Sequence, residues 1–359
     1  MSNEMNIGNL RDLKELADPN GTFREIAFGA LVGLVAKHSG GTEFLGDTSA
    51  LAAGAYQKSL IGDYFPNYWM EVPLLGNPGF DLHVYYNRGQ VDPGDHFESG
   101  CGFGMQAMFD WYFNVETGGV GVGFAHDLRD GSCDVGAYVN FGSKPLADER
   151  GFFTSLEADG SYGYTSELLA RLPGSWQPWY LGLFPNRPGS GVRVGAFVSV
   201  ERQADYAADP RTLADDLTRA GFTAFDSVML ERLQALAALP FILELQLDAV
   251  EGGVGDTLGA DLTLKHVHAS DASVLFAKDA PGEKACRLLE AWGVVDSRWH
   301  RIPDASISCM LPIGEGGKTF MLLMRCNPSF IKSKWVATQP QPAKVYFQCT
   351  TLLFGSQQG

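Results

Sequence analysis

The chain has 359 residues, 45% of them hydrophobic and 19% charged, a composition that buries a core and excludes a disordered chain. The formal net charge of -15 argues against a nucleic-acid backbone or an anionic membrane surface as partner. No stretch reaches the ~18 apolar residues of a membrane span, and residues 1–16 lack the apolar centre of a signal peptide, so a cytoplasmic, soluble protein is expected.

In chain order, residues 1–20 read as a peripheral lead-in and 22–38 as an apolar helix. Residues 68–88 alternate polar and apolar on either side of Asn77-Pro78-Gly79, the pattern of an antiparallel hairpin. A weaker helical pattern covers 101–115. A second hairpin, 119–141, turns at Arg129-Asp130-Gly131-Ser132, and weak helical periodicity follows over 150–171. A third hairpin, 178–200, turns at Asn186-Arg187-Pro188-Gly189. Helices are predicted over 211–222 and 226–239, with Asp209–Pro210 and Asp226 as start signals and Gly221 as a stop. A fourth hairpin covers 241–264. Helix 282–293, ending at Gly293, leads to a last strand block from 306 that is extended by 330–335 and 343–354. The Pro-rich segment 338–344 reads as a loop between strands.

The hairpins start about every 50–65 residues, each after helix, which marks a repeated supersecondary unit. Five such units over 21–355 make ten antiparallel strands in one domain. An open sheet of that size leaves two long edges, and closure removes them. The predicted fold is therefore α+β: a ten-stranded antiparallel β-barrel inside a ring of α-helices. In 241–264, Leu243, Leu245 and Leu247 alternate with Glu244, Gln246 and Asp248, and Leu258, Ala260 and Leu262 with Gly259, Asp261 and Thr263. Helices outside the barrel require the apolar faces to point outward and the polar faces to line a lumen.

That alternation places Glu71, Asp81, His83, Tyr85, Asp134, Tyr138, Asn140, Arg193 and Phe197 inside. It adds Glu244, Gln246, Asp248, Asp261, Thr263, Lys265, Arg325, Lys332, Lys334, Lys344, Tyr346 and Gln348 from the second half. Gly121, Gly123, Gly136, Gly195 and Gly259 on the same face either leave room for a ligand or mark bends. Convergent Arg and Lys hold phosphates by charge-assisted hydrogen bonds, and interspersed aromatic rings stabilise a carbocation or stack on a flat substrate.

Signatures of other chemistries are absent: there is no Walker-type loop, His-Glu-x-x-His or Gly-x-Ser-x-Gly. His266 and His268 lack a third metal ligand and read as surface or helix-facing residues. Asp215-Asp216 is followed by Leu-Thr-Arg, not by an Asp-rich metal motif. The cysteines (Cys101, Cys133, Cys286, Cys309, Cys326 and Cys349) contain no Cys-x-x-Cys and read as buried reduced thiols.

The five helix-then-hairpin units and the closing strand 343–348, with its Lys344-x-Tyr346, resemble the αββα-barrel (ABBA) aromatic prenyltransferases, including the indole and peptide-modifying branches. The resemblance implies a PT barrel acting in secondary metabolism on an isoprenoid diphosphate. It implies that Arg193, Lys265, Arg325, Lys332 and Lys344 grip the prenyl diphosphate and that Tyr138, Tyr346 and Tyr85 shield the allylic cation. Glu71 or Asp81 then orients or deprotonates an aromatic or peptide acceptor. Mg²⁺ is the one cofactor this reading admits, and no protein residue is predicted to ligate a metal. The alternative is a non-catalytic barrel, accessory to a biosynthetic pathway, that binds a peptide or small metabolite, cationic ones being suited to its acids.

Overall fold

The computed structural model describes residues 23–60, 67–87, 105–115, 121–129, 131, 134–141, 148–184, 187, 191–264, 269–315 and 318–354. The predicted hairpins are present as β1 (Asn67–Pro73) with β2 (Asp81–Asn87), β3 (Gly121–Asp127) with β4 (Asp134–Asn140), β5 (Trp176–Leu183) with β6 (Val192–Val198), and β7 (Ile242–Val250) with β8 (Gly253–Thr263). The last block forms β9 (Ile307–Glu315), β10 (Lys318–Val336) and β11 (Gln339–Phe354). All neighbours are antiparallel. β8 pairs with the second half of β10, and β11 pairs with β10 on one side and β1 on the other, so ten strands close into a barrel. β9 lies outside the ring, on the first half of β10.

Segment 338–344, predicted as a loop, is strand from Gln339 onward. Pro340 and Pro342 are tolerated because β1 joins β11 only from Lys344, so 339–342 has a free edge where a missing N–H costs nothing. The turn is confined to Ala337 and Thr338, with Ala337 at φ 51°.

Twelve α-helices occur among the described residues. α1 (Phe23–Ser39), α2 (Thr42–Leu45) and α3 (Ser49–Lys58) precede β1, and α4 (Met105–Asn114) precedes β3. α5 (Glu149–Ser155) and α6 (Gly160–Arg171) precede β5. α7 (Val200–Ala208), α8 (Pro210–Ala220) and α9 (Ser227–Ala237) precede β7. α10 (Ala269–Leu275), α11 (Pro281–Ala291) and α12 (Ile302–Ala305) precede β9. None is long and apolar enough to cross a membrane.

The start signals act by capping. The Asp209 side chain accepts from Arg211 N–H and Asp226 from Met229 N–H, while Gly221 closes α8 in the left-handed region. α7, not predicted, is started by Ser199, whose hydroxyl accepts from Arg202 N–H. Its buried Gln203 donates to the carbonyls of Ala237 and Phe241 and accepts from Leu243 N–H, tying three elements together. Asp216 of the Asp-Asp pair is buried between α7 and α8, bonded to Tyr206 Oη at 2.6 Å and Arg202 Nε at 2.7 Å, so it is structural.

The strand faces point as alternation requires. Leu243, Leu245, Leu247, Leu258, Ala260 and Leu262 are buried in the core between barrel and helices, and Glu244, Gln246 and Asp261 line the lumen. A second, inner cluster of Ala125, Tyr138, Tyr180 and Phe184 lies inside the barrel. Cys286, Cys326 and Cys349 are buried and Cys309 half-buried, all as free thiols; Cys101, Cys133, His266 and His268 fall outside the described residues.

Candidate functional site

The lumen holds two connected chambers. A mouth of about 600 Å³ opens where the hairpin turns lie, with Gly76, Arg129 and Arg187 on its rim. A deeper chamber of about 180 Å³ is walled by Trp69, Tyr85, Trp179, Tyr180, Phe197 and Phe330. His83, Tyr138, Lys332 and Tyr346 line both and form the junction.

The mouth is a ring of ion pairs. Glu71 sits at the β1–β11 closure, opposite Tyr346 and two residues from the Pro73–Lys344 pair. One carboxylate oxygen accepts from Lys344 Nζ and from Arg129 Nη2 at 3.4 Å, the other from Tyr346 Oη and His83 Nε2, the latter at 3.1 Å. Burial alone pushes Glu71 up, but Lys344, His83 and Arg129 outweigh it and hold the carboxyl well below the usual range. Asp81 accepts from the N–H groups of Leu128 and Arg129 and from Arg129 Nε at 2.7 Å, which fixes the turn after β3. Arg187 pairs with Asp127 and lies 4.0 Å over the Phe184 ring. Arg193 is bonded to Asp248 at 3.0 Å.

Lys334 also lines the mouth, and among the described residues it has no hydrogen-bonded or ion-pair partner. Burial, then the charge of Arg193, lowers its ammonium to about 8.

In the deep chamber Glu244 and Asp261 face each other across β7 and β8. The Gln246 amide bridges them, donating at 2.8 Å to Glu244 and 2.6 Å to Asp261, and Gln246 Oε1 accepts from Lys332 Nζ. Burial, then the Asp261 charge, raises Glu244 to about 8; burial raises Asp261 to about 6 against the pull of Lys332 and Arg193. Burial likewise raises the phenols of Tyr85, Tyr138, Tyr180 and Tyr346, so these rings are neutral.

Four inward glycines, Gly123, Gly136, Gly182 and Gly195, make room for aromatic rings, and Gly259 makes room for the Gln246 side chain. A Cβ at Gly123 would sit 2.7 Å from the ring of Tyr85, and one at Gly182 would sit 2.7 Å from that of Tyr138. At Gly195 it would meet Tyr180, and at Gly136 it would meet Phe184. Each aromatic lies flat across a neighbouring strand where no side chain stands.

Of the predicted site residues, Glu71, Asp81, Arg193, Lys332, Lys344, Tyr138 and Tyr346 converge on the mouth, and Tyr85 lines the deep chamber. Arg325 is a correction: it is exposed and lines neither chamber. β10 outruns the barrel wall, because β8 pairs only with Phe330–Val336, and Arg325 lies beyond that end, opposite Ser308 and Thr350. Lys265 falls outside the described residues. Arg129 and Arg187 were visible in the sequence only as turn residues, where alternation gives no facing.

A larger concavity of about 940 Å³ lies outside the barrel against α9, α11 and the 3₁₀ turn Ser297–Arg301. Two of its charged side chains are committed to each other, Arg287 pairing with Glu283 at 2.6 Å. The chain matches no protein-family model, and no curated protein is significantly similar to it.

Proposed function

We propose that the protein is a transferase that moves a prenyl group from an allylic diphosphate onto an aromatic small molecule or peptide side chain inside the lumen. The observation that carries this reading is the stacking of two environments. Arg193, Lys334 and Lys344 line a mouth directly above a chamber of neutral aromatic rings, with Tyr138 and Tyr346 at the junction.

In this reading the cations hold the diphosphate and take up the charge that develops as the allylic C–O bond breaks and its electron pair leaves with the phosphate. The allylic cation then lies among the rings of Tyr138 and Tyr346, and the acceptor attacks from the deep chamber. Glu71 is an ionised carboxylate saturated with donors, which suits it to positioning Lys344, Arg129 and Tyr346 and makes it a weak base. The mouth carboxylates Glu71, Asp81 and Asp127 are each held by an arginine or lysine, so they do not fit a Mg²⁺ site, and no step is routed through that ion.

Thermal unfolding with dimethylallyl, geranyl and farnesyl diphosphate tests the reading. At least one should raise the transition by several degrees, through mass action on the native state, and Arg193→Ala and Lys344→Ala should each remove most of that rise. No shift with any of the three overturns it.

A second reading, a non-catalytic barrel that holds a peptide or metabolite, is favoured by the pairing of the mouth cations with the protein's own carboxylates. Stabilisation by a diphosphate without its release in the presence of aromatic or peptide acceptors would select that reading.

A further inference from the structure

We propose that the deep chamber is a binding site for an organic cation, an ammonium or guanidinium group, held against Asp261 and Glu244 and flanked by the aromatic walls. The inference concerns the lower chamber alone and does not require prenyl transfer at the mouth.

Three observations lead to it. The first is an unmet acceptor: Asp261 is 2% exposed, lines the chamber, and its Oδ1 has no hydrogen-bond partner among the described residues. The Oδ1 of Asn140, which lines the same chamber from β4, is likewise unpartnered among the described residues. Buried acceptors left unpaired are costly, so the matching ligand brings donors. Ammonium and guanidinium groups are donor-only heads, with three and five N–H respectively.

The second is charge. Two carboxylates face each other, 3% and 2% exposed, and Lys332 is the cation beside them, 3.8 Å from Asp261. The other charged groups that act on the pair are Arg193 from β6, itself committed to Asp248, and Glu71 from β1. The arrangement is one positive charge short, and in the empty protein a proton retained on Glu244 makes up the difference.

The third is the wall. Trp179 and Phe197 stack at 5.0 Å, Phe330 and Tyr346 at 4.1 Å, and Trp69 meets Tyr85 edge-on at 4.7 Å. Aromatic faces around a carboxylate are the surroundings in which a desolvated cation is held most strongly. The volume of about 180 Å³ leaves room for a head group and a short stem.

The test uses the full chain and three probes of similar body: benzylammonium, phenylguanidine and the neutral benzyl alcohol, titrated calorimetrically at pH 7. Either cation should bind at least tenfold more tightly than benzyl alcohol. Asp261→Asn should weaken the cations at least tenfold and leave benzyl alcohol unchanged, with Glu244→Gln as the second isosteric variant. Should neither variant fold, the wild type still decides. A bound cation expels the proton held on Glu244, so benzylammonium affinity should rise about fiftyfold from pH 6 to pH 8 while that of benzyl alcohol stays flat. Equal binding of charged and neutral probes, cation affinity unchanged in folded Asp261→Asn, parallel pH profiles, or no binding by any probe would each overturn the proposal. None of the probes carries a diphosphate, so these outcomes are separate from the fate of the prenyl-donor reading.

Discussion

Replacing Glu71 by Gln isolates the electrostatic centre of the mouth. The side chain is 8% exposed and accepts from Lys344, Arg129, His83 and Tyr346. Glutamine keeps the shape but loses the charge and turns one acceptor into an NH₂ facing donors. Breaking a buried ion pair from one side costs ~3–5 kcal/mol. Lys344 and Arg129 are 30% and 29% exposed and can recover some hydration, and Arg129 keeps Asp81, so the lower end, ~3 kcal/mol, applies. With an unfolding entropy of ~0.75 kcal/mol/K for a chain of this length, the transition should fall by ~4 °C. The assay is thermal unfolding followed by circular dichroism, with Lys344→Met and the double variant alongside. The double variant should lose clearly less than the two single losses together, since each single change strands the other's charge. A Glu71→Gln protein that melts with the wild type, or strictly additive losses, would refute the hub.

Three further outcomes follow from the lumen and its surroundings. Gly195→Ala drives a methyl into the ring of Tyr180, which should cost ~1–3 kcal/mol by overpacking and push the ring into the deep chamber; unchanged denaturant unfolding and unchanged probe binding would show the space to be free. Lys334 must be protonated to attract an anion. With its ammonium at about 8, diphosphate affinity measured by titration should drop from pH 7 to pH 9, and Lys334→Met should flatten that drop; identical profiles contradict the assignment. His126 is 2% exposed with Nε2 2.6 Å from Ser59 Oγ, and burial, then the charges of His83 and Lys58, depresses it to about 4. Above pH 6.5 both folded and unfolded states hold it neutral, and as pH falls toward 4 only the unfolded state takes the proton. Stability of up to ~3 kcal/mol is therefore lost across that window. Guanidinium unfolding at pH 7 and pH 5 should show a smaller drop in His126→Gln than in the wild type, and an equal drop would rule the histidine out as the cause.

The barrel was legible because its evidence is local. Alternation in 241–264 and chain reversals at Asn77-Pro78-Gly79 or Gly252-Gly253 are properties of neighbouring residues, and the repeat of five units then demands closure. Long-range information was not legible. That Glu71 meets Lys344 and Tyr346 is set by the β1–β11 register, which exists only once the ring closes. Arg129 and Arg187 reach the mouth from turns, and a period-two pattern assigns no face there. Arg325 was misplaced because alternation gives a strand's face but not where the barrel wall ends. α7 was missed because its pattern is largely polar and its start signal is a lone Ser199.

The most direct measurement is a crystal structure with dimethylallyl S-thiolodiphosphate, a donor whose leaving bond does not break. The two phosphates should lie in the mouth against Arg193, Lys334 and Lys344, with the five-carbon chain pointing down between Tyr138 and Tyr346. Phosphates bound only outside the barrel, or a lumen that excludes the ligand at millimolar concentration, would contradict the account.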